Sequence, residues 1–436
     1  MNFREALREL DSRQPENMPE PSLDRISKVA ELLDHPQLAY PSIHVTGTNG
    51  KTTTARMVAS LACGHGISTG TFISPHLESV TERLSLCGQE ISEDEFAEEY
   101  ERLLPYLEQG DGFDRRVTYF EALTALAYIW FADKPVGLGV FEVGMGGAWD
   151  ATNLVRGEVS VLCPIGLDHR ELGATVAEVA TEKAGIVKPG MICVLREQRP
   201  EALEVIERRG AEMGATILRE DEAFGVRRRS QAVAGQLLEI QGVHAAYSEI
   251  FVPLFGEATA RNAAASIAAC EAFLDRALDE GTVRASLRDV TSPGRLEVAA
   301  RRPLVVLDGA HNPDAMAELA VTLSEAFRWE RLHLVLAMFG DKDVEGALRF
   351  LGPLVDRAYL APNTSPRSAA PERLARALAD AGVANARMHG TVADAVADAR
   401  ASAGERDLIL VTGSFYTVGD ARPLFSGGPD SRGGRT

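Results

Sequence analysis

The chain has no Cys-x-x-Cys pair. Its five cysteines, Cys63, Cys87, Cys163, Cys193 and Cys270, are scattered over 436 residues, which gives neither the ligand spacing of a zinc site nor a disulfide framework. Reduced, buried thiols in a cytoplasmic protein are the expectation. Positive charge is in deficit, with 45 Lys and Arg against 63 Asp and Glu and a formal net charge of −18. Binding along a nucleic-acid backbone needs clustered cations and a positive field, so no nucleic-acid partner is expected, although a local basic pocket for a nucleotide is allowed. Long apolar runs are also missing. Arg4, Glu5 and Arg8 stand where a signal peptide needs an apolar stretch. The most apolar helical segment, 120–132, is interrupted by Glu121 and is too short to cross a bilayer. Neither export nor a membrane partner follows.

What remains is an ordinary globular composition, 45% hydrophobic and 25% charged. At about 150 residues per domain, the length predicts two or three compact units.

The most informative stretch is His44-Val45-Thr46-Gly47-Thr48-Asn49-Gly50-Lys51-Thr52-Thr53-Thr54. A short apolar run from Pro41 to Val45 reads as a buried strand, and Met57, Val58, Leu61 and Ala62 recur at helical spacing behind it. A strand feeding a Gly-rich turn that opens a helix offers backbone N–H groups and a positive helix end to an anion. Lys51 would reach terminal phosphates and a Thr hydroxyl would face Mg²⁺. Val45 occupies the place of the first glycine in the general phosphate-loop pattern, so Gly-Thr-Asn-Gly-Lys-Thr is a tighter subtype.

Apolar strands then alternate with helices. Strands are expected at 69–73, 139–143 and 159–164, and helices at 23–33, 92–107, 117–132, 200–212, 258–273 and 282–290. Ser92 with Glu95 has the form of a capping box. Residues 215–253 alternate weakly and suggest an antiparallel appendage. A Pro/Gly break at Thr291-Ser292-Pro293-Gly294 precedes a fresh strand–helix series from Leu304 to Val411. The pattern predicts an α/β fold with parallel sheets, divided as 1–291, 292–425 and a flexible apolar-poor tail at 426–436.

Polar residues gather at predicted strand ends, where open α/β sheets bind ligands. Glu142, followed by Gly144-Met145-Gly146-Gly147, suits Mg²⁺, which takes hard oxygen ligands beside phosphates. Gly166-Leu167-Asp168-His169 is a second such end. On composition Lys183 is a solvated helix-end lysine. Asp308 could hold a ribose hydroxyl or serve as a turn residue, Asn312 could be an N-cap, and His311 is a catalytic candidate beside them.

The ordered set G-T-N-G-K-T, S-P-H-L, T-E-R-L, T-Y-F-E, E-V-G-M-G-G-A-W-D-A-T-N, G-L-D-H, E-K-A-G-I-V-K-P-G, S-P-G-R-L-E and D-G-A-H-N-P resembles folylpolyglutamate synthase/dihydrofolate synthase, the folate branch of the ATP-dependent Mur-type amide ligases. The resemblance runs from Leu23 to about Phe425. It implies a P-loop-containing ATPase domain with a mainly parallel sheet and a second, smaller Rossmann-like α/β domain. It also implies ATP as co-substrate, Mg²⁺, a pterin or folate carboxylate, L-glutamate, and a cytoplasmic monomer of folate biosynthesis and one-carbon metabolism. Position by position, Gly47, Thr48, Asn49, Gly50, Lys51 and Thr52 would wrap the ATP phosphates. Ser74, Glu142 and His169, with the Thr52 hydroxyl, would hold Mg²⁺. Lys183 matches a lysine carbamylated in the family. Asn262 takes the adenine-contacting place, Arg295 the phosphate-binding place and Asp308 the ribose-holding place. Thr118, Phe120, Asp150 and Arg83 fall on the pterin or folate side, while Lys51, Lys183 and His311 are the residues nearest the chemistry.

Three departures stand out. Thr52 replaces the usual glycine, Ala258-Thr259 replaces a His-Gln pair, and Val80-Thr81 replaces Phe-Asn. The first two touch ATP contacts and the third the folate pocket. A Mur-type ligase for another carboxylate is the alternative, ranked second because only about 40 residues precede the loop where the cell-wall enzymes carry a uridine-nucleotide-binding domain. A nucleotide-binding protein without ligase activity is the third reading.

Overall fold

Residues 1–15, 22–113, 115–168 and 170–425 are described by the computed structural model. His169, one of the expected metal ligands, and the tail 426–436 therefore lie outside the described residues. Two compact units emerge: Met1–Pro253 with Thr259–Val290, and Leu254–Ala258 with the chain from Thr291.

The first unit is built on eight strands, β1 (Ser42–Thr46), β2 (Thr69–Phe72), β3 (Leu84–Leu86), β4 (Gln89–Glu90), β5 (Leu138–Glu142), β6 (Val159–Leu162), β7 (Ile192–Leu195) and β8 (Thr216–Arg219). Their order is β4-β3-β2-β5-β1-β6-β7-β8. All neighbours from β2 to β8 are parallel, and β3 and β4 add an antiparallel edge. β1 is central and buried along its whole length, which explains its continuous apolar reading in place of alternation. In register, Val45 faces Glu142 and Thr46 faces Leu162. The loop after β1 therefore emerges between the segments that follow β5 and β6.

Local chemistry explains the flanking helices. Thr118 caps Tyr119–Asp133 by accepting the Glu121 N–H at 3.3 Å, and the Glu121 carboxylate accepts the Thr118 N–H at 2.8 Å. That carboxylate also pairs with buried Arg25 at 3.0 Å, so the one buried charge of a mostly apolar helix has a partner. Ser92 caps Glu93–Asp111 through the Glu95 N–H at 3.2 Å. The expected box is only half made, because the Glu95 carboxylate pairs with Lys134 at 2.5 Å. Helix Phe3–Asp11, capped by Asn2, adds to the helices expected from the sequence.

Two expectations change. Within 215–253 the first strand, β8, is a parallel member of the main sheet. The antiparallel part is a separate three-stranded sheet of β9 (Gly225–Ala232), β10 (Gly235–Gln241) and β11 (Ala246–Val252). The second change concerns the cysteines: Cys63 and Cys87 form a disulfide, and only Cys163, Cys193 and Cys270 are buried free thiols. The turn between β3 and β4 returns beside the end of helix Lys51–Gly64, bringing Cα atoms 24 residues apart in sequence to 5.7 Å. No spacing rule announces a pair made by sheet topology.

The second unit holds β12 (Glu297–Arg301), β13 (Leu304–Leu307), β14 (Leu332–Leu336), β15 (Arg357–Leu360), β16 (Ala386–Met388) and β17 (Leu408–Thr412). The order is β12-β13-β17-β14-β15-β16, parallel except for β12 at one edge. Asn312 caps helix Pro313–Ala326 by accepting the Ala315 N–H at 2.9 Å. Among the described residues no helix is long and apolar enough to cross a membrane.

Candidate active site

The loop after β1 is held by its surroundings. Gly47 has φ 147°, and a Cβ there would lie 2.6 Å from that of Cys163; Gly50 has φ 92° and faces the Asn262 side chain. Both positions exclude side chains. The Thr48 N–H donates to Pro164 O at 2.9 Å and its hydroxyl donates to Gly166 O at 3.0 Å, stapling the loop to the segment after β6. Lys51 opens the next helix and donates to Gly47 O at 3.1 Å. A helix start of this kind presents N–H groups without intrahelical partners, which suits an anion.

Thr52, Glu142 and Ser74 come together. The Thr52 hydroxyl donates to Glu142 Oε1 at 2.8 Å, and the Ser74 N–H donates to Oε2 at 3.2 Å. Glu142 is 1% exposed. Among the described residues no three His, Cys, Asp or Glu side chains converge as a metal cage. One carboxylate with the Thr52 hydroxyl beside a phosphate loop nevertheless suits Mg²⁺, which uses few protein ligands and shares its coordination with phosphate and water.

Lys183 is not solvated. It is 4% exposed and its Nζ donates to Gly47 O at 2.9 Å. Burial, and then the neighbouring Lys51 charge, lowers its pKa to about 7, against the pull of Asp168, Asp150 and Glu182. Composition misjudged it because the helix end carrying it packs under Gly147, where a Cβ would lie 2.8 Å from Lys183 O.

Asp150 caps the short 3-10 turn Ala151–Leu154 and accepts N–H groups from Met145 at 2.9 Å and Thr152 at 3.0 Å. The Thr152 hydroxyl also donates to it, and His44 Nε2 donates in turn to that hydroxyl at 2.8 Å. Burial raises the Asp150 pKa to about 6 despite these bonds. Phe120 lies over Gly144, whose Cβ would meet its ring at 2.6 Å. Arg83 donates to His76 Nδ1 at 2.8 Å and sits 5.5 Å from the Tyr119 ring centroid. The Thr118 hydroxyl is committed to its helix cap. His44 and Thr152 went unread because an apolar strand and a turn gave no reason to link them.

Asn262, on helix Glu257–Leu274, lies against Gly50. Its Oδ1 accepts from Arg196 Nη1, and Arg196 Nε donates to Glu220 Oε2 at 2.9 Å. Neither Arg196 nor Glu220 carried a motif.

In the second unit, Asp308 accepts the N–H groups of Leu296 at 2.9 Å and Ala310 at 2.8 Å. Burial raises its pKa, opposed by Arg295. The Arg295 guanidinium lies 4.4 Å from the Phe415 ring centroid, and His311 Nδ1 donates to Gly309 O at 2.8 Å.

Comparison with known proteins follows these lines. Residues 45–270 match the Mur ligase middle domain, and residues 294–415 match the Mur ligase, glutamate ligase domain. A dihydrofolate synthase/folylpolyglutamate synthase of Mycobacterium tuberculosis is 41% identical over 96% of this chain and 93% of its own. The structure of Mycobacterium tuberculosis folylpolyglutamate synthase complexed with ADP superimposes with a TM-score of 0.93 at 41% identity, covering 98% of this chain and 99% of that one. That of E. coli FolC in complex with DHPP and ADP gives 0.86 at 31% identity and 97% of both chains. By these matches the chain belongs to the folylpolyglutamate synthase/dihydrofolate synthase family of ATP-dependent Mur-type ligases.

Proposed function

We propose that the protein joins L-glutamate to dihydropteroate, to reduced folates, or to both, using ATP to form an acyl phosphate. The observation that carries this reading is the meeting of Lys51, Thr52, Glu142 and Lys183 around one phosphate loop, with Asp150 beyond it. Residues 1–291 are assigned to ATP binding and 292–425 to glutamate ligation, with a cytoplasmic monomer as the working form.

A substrate carboxylate oxygen attacks the γ-phosphorus of ATP and ADP leaves. The α-amine of glutamate, having lost its proton, attacks the acyl carbonyl, and the tetrahedral intermediate expels phosphate. No side-chain nucleophile is needed. The loop N–H groups and Lys51 bind and orient the phosphates, and stabilise charge as it develops. Thr52, Ser74, Glu142 and His169 are assigned to Mg²⁺, which when bound neutralises phosphate charge. Asn262, Arg295 and Asp308 are assigned to adenine, phosphate and ribose. Asp150 accepts N–H donors of a pterin, Phe120 and Thr118 line that pocket, Arg83 faces the folate side, and His311 is assigned to the chemical step.

Lys183 fits a carbamate. Carbon dioxide reacts only with a free amine, and an amine with pKa about 7 is roughly half neutral at that pH. The nitrogen gains a carboxylate and releases a proton, turning a buried cation into an anion.

Glutamate-dependent phosphate release decides the reading, with dihydropteroate, tetrahydrofolate and UDP-muramyl peptides offered in turn. Turnover with either pterin is expected, and turnover with the muramyl peptides alone would overturn it. Arg295→Ala and Asp308→Ala should each depress turnover; a wild-type rate in both would favour a nucleotide-binding protein without ligase activity.

A further inference from the structure

Asn262 has a single amide orientation that its surroundings accept. Arg196 follows β7, where its N–H donates to Leu162 O at 3.0 Å. A guanidinium carries N–H donors and no acceptor. Because Arg196 Nη1 points at the Asn262 amide, Oδ1 must face Arg196 and Nδ2 must face away. The opposite flip would set donors against donors in a buried place.

Arg196 is itself pinned. Its side chain is 3% exposed and that of its partner Glu220 1%. Glu220 Oε2 accepts from Arg196 Nε at 2.9 Å and from the Glu197 N–H at 2.7 Å. Arg261, the residue before Asn262, donates to Glu197 and stands 3.8 Å from Glu220 Oε2. The segments after β7 and β8 thus brace one amide. The same amide touches the phosphate loop, since a Cβ on Gly50 would meet Oδ1 at 3.0 Å and Nδ2 at 3.1 Å.

We propose that the buried Arg196–Glu220 pair is a positioning device that sets the purine selectivity of the nucleotide site by locking the flip of Asn262. The inference rests on the assignment of Asn262 to the base. A locked amide offers one N–H donor and the remaining lone pair of Oδ1. Adenine answers with an acceptor and a donor, N7 and the N6 amino group, whereas guanine presents two acceptors, N7 and O6. Oδ1 would then face O6 with no proton between them, and a polar group left unpaired is the kind of mismatch that discriminates strongly. An unbraced asparagine can turn Oδ1 away and tolerate either base.

The test compares kcat/KM for ATP and GTP in glutamate-dependent phosphate release. In Arg196→Met combined with Glu220→Gln, which leaves no buried charge unpaired, the ATP:GTP ratio should fall about tenfold or more, with KM for ATP rising more than kcat falls. Arg196→Lys keeps a donor-only cation and should retain part of the ratio. Glu220→Gln alone keeps the shape and should lower the ratio by a smaller factor. A folded double variant with the wild-type ratio overturns the proposal, as does a wild-type ratio in both single variants should the double variant not fold. Asn262→Ala separates the two ideas: an unchanged ratio there sinks the assignment of Asn262 itself.

Discussion

The hydroxyl of Thr52 donates to Glu142 Oε1 at 2.8 Å, so the first turn of the helix after the phosphate loop and the end of β5 share a hydrogen bond. Position 52 therefore belongs to both halves of the expected metal site. Glu142→Gln keeps size and acceptor but removes the charge. It should lower kcat on the order of 10²–10³-fold, as lost charge stabilisation does, without changing the thermal melt. Phosphate release across a Mg²⁺ titration checks this. A rate within tenfold of wild type would remove Glu142 from the metal site.

Lys183 makes stability depend on pH. Its pKa is lowered to about 7 in the fold, while an unfolded lysine titrates near 10.4. Between those values the unfolded chain binds the proton and the folded chain does not, so stability rises with pH across that window. In bicarbonate-free buffer, the melting temperature of wild type should gain on that of Lys183→Met between pH 7 and 9. Parallel profiles would contradict the buried free amine. Lys183→Ala should also be inactive, and full activity in it would rule out a required carbamate.

Asp150 titrates the other way. With its pKa raised to about 6, the folded state holds a proton between about pH 4 and 6 that the unfolded chain has lost. Its contribution to stability therefore declines as pH rises through that range. Ionisation meanwhile makes it a better acceptor. KM for a pterin substrate should fall from pH 5 to 7, and Asp150→Asn should abolish that trend and raise KM about tenfold, the loss expected of a charge-assisted hydrogen bond. A pH-independent KM in wild type would count against the pterin assignment.

The Cys63–Cys87 disulfide closes a loop spanning 24 residues, for which chain entropy gives about 3 kcal/mol. Reduction should lower the melting temperature of wild type and leave Cys87→Ser unmoved. Equal shifts in both would mean the bond does not contribute.

Much of this molecule could be read from its residues. β1, its loop and the helix behind it follow from one strand–turn–helix signature, and the β13–β15 series follows from apolar runs separated by capped helices. The reading failed where long-range packing decides. Lys183 looked solvated because nothing local tells that Gly147 packs over its backbone. The strands β3, β4, β12 and β16, at or next to sheet edges, are too short, two to five residues, to show a period. Arg196 and Glu220 lie 24 residues apart in ordinary polar surroundings, and only the parallel pairing of β7 with β8 brings them together.

Gly144 and Phe120 carry one further consequence. The ring occupies the volume that any side chain at 144 would claim, so enlarging position 144 requires a smaller residue at 120. A library that enlarges 144 while keeping Phe120 forces that clash in every member. Coupling a larger residue at 144 to a smaller one at 120 would change the shape of the surface proposed for the pterin while leaving β5 itself untouched.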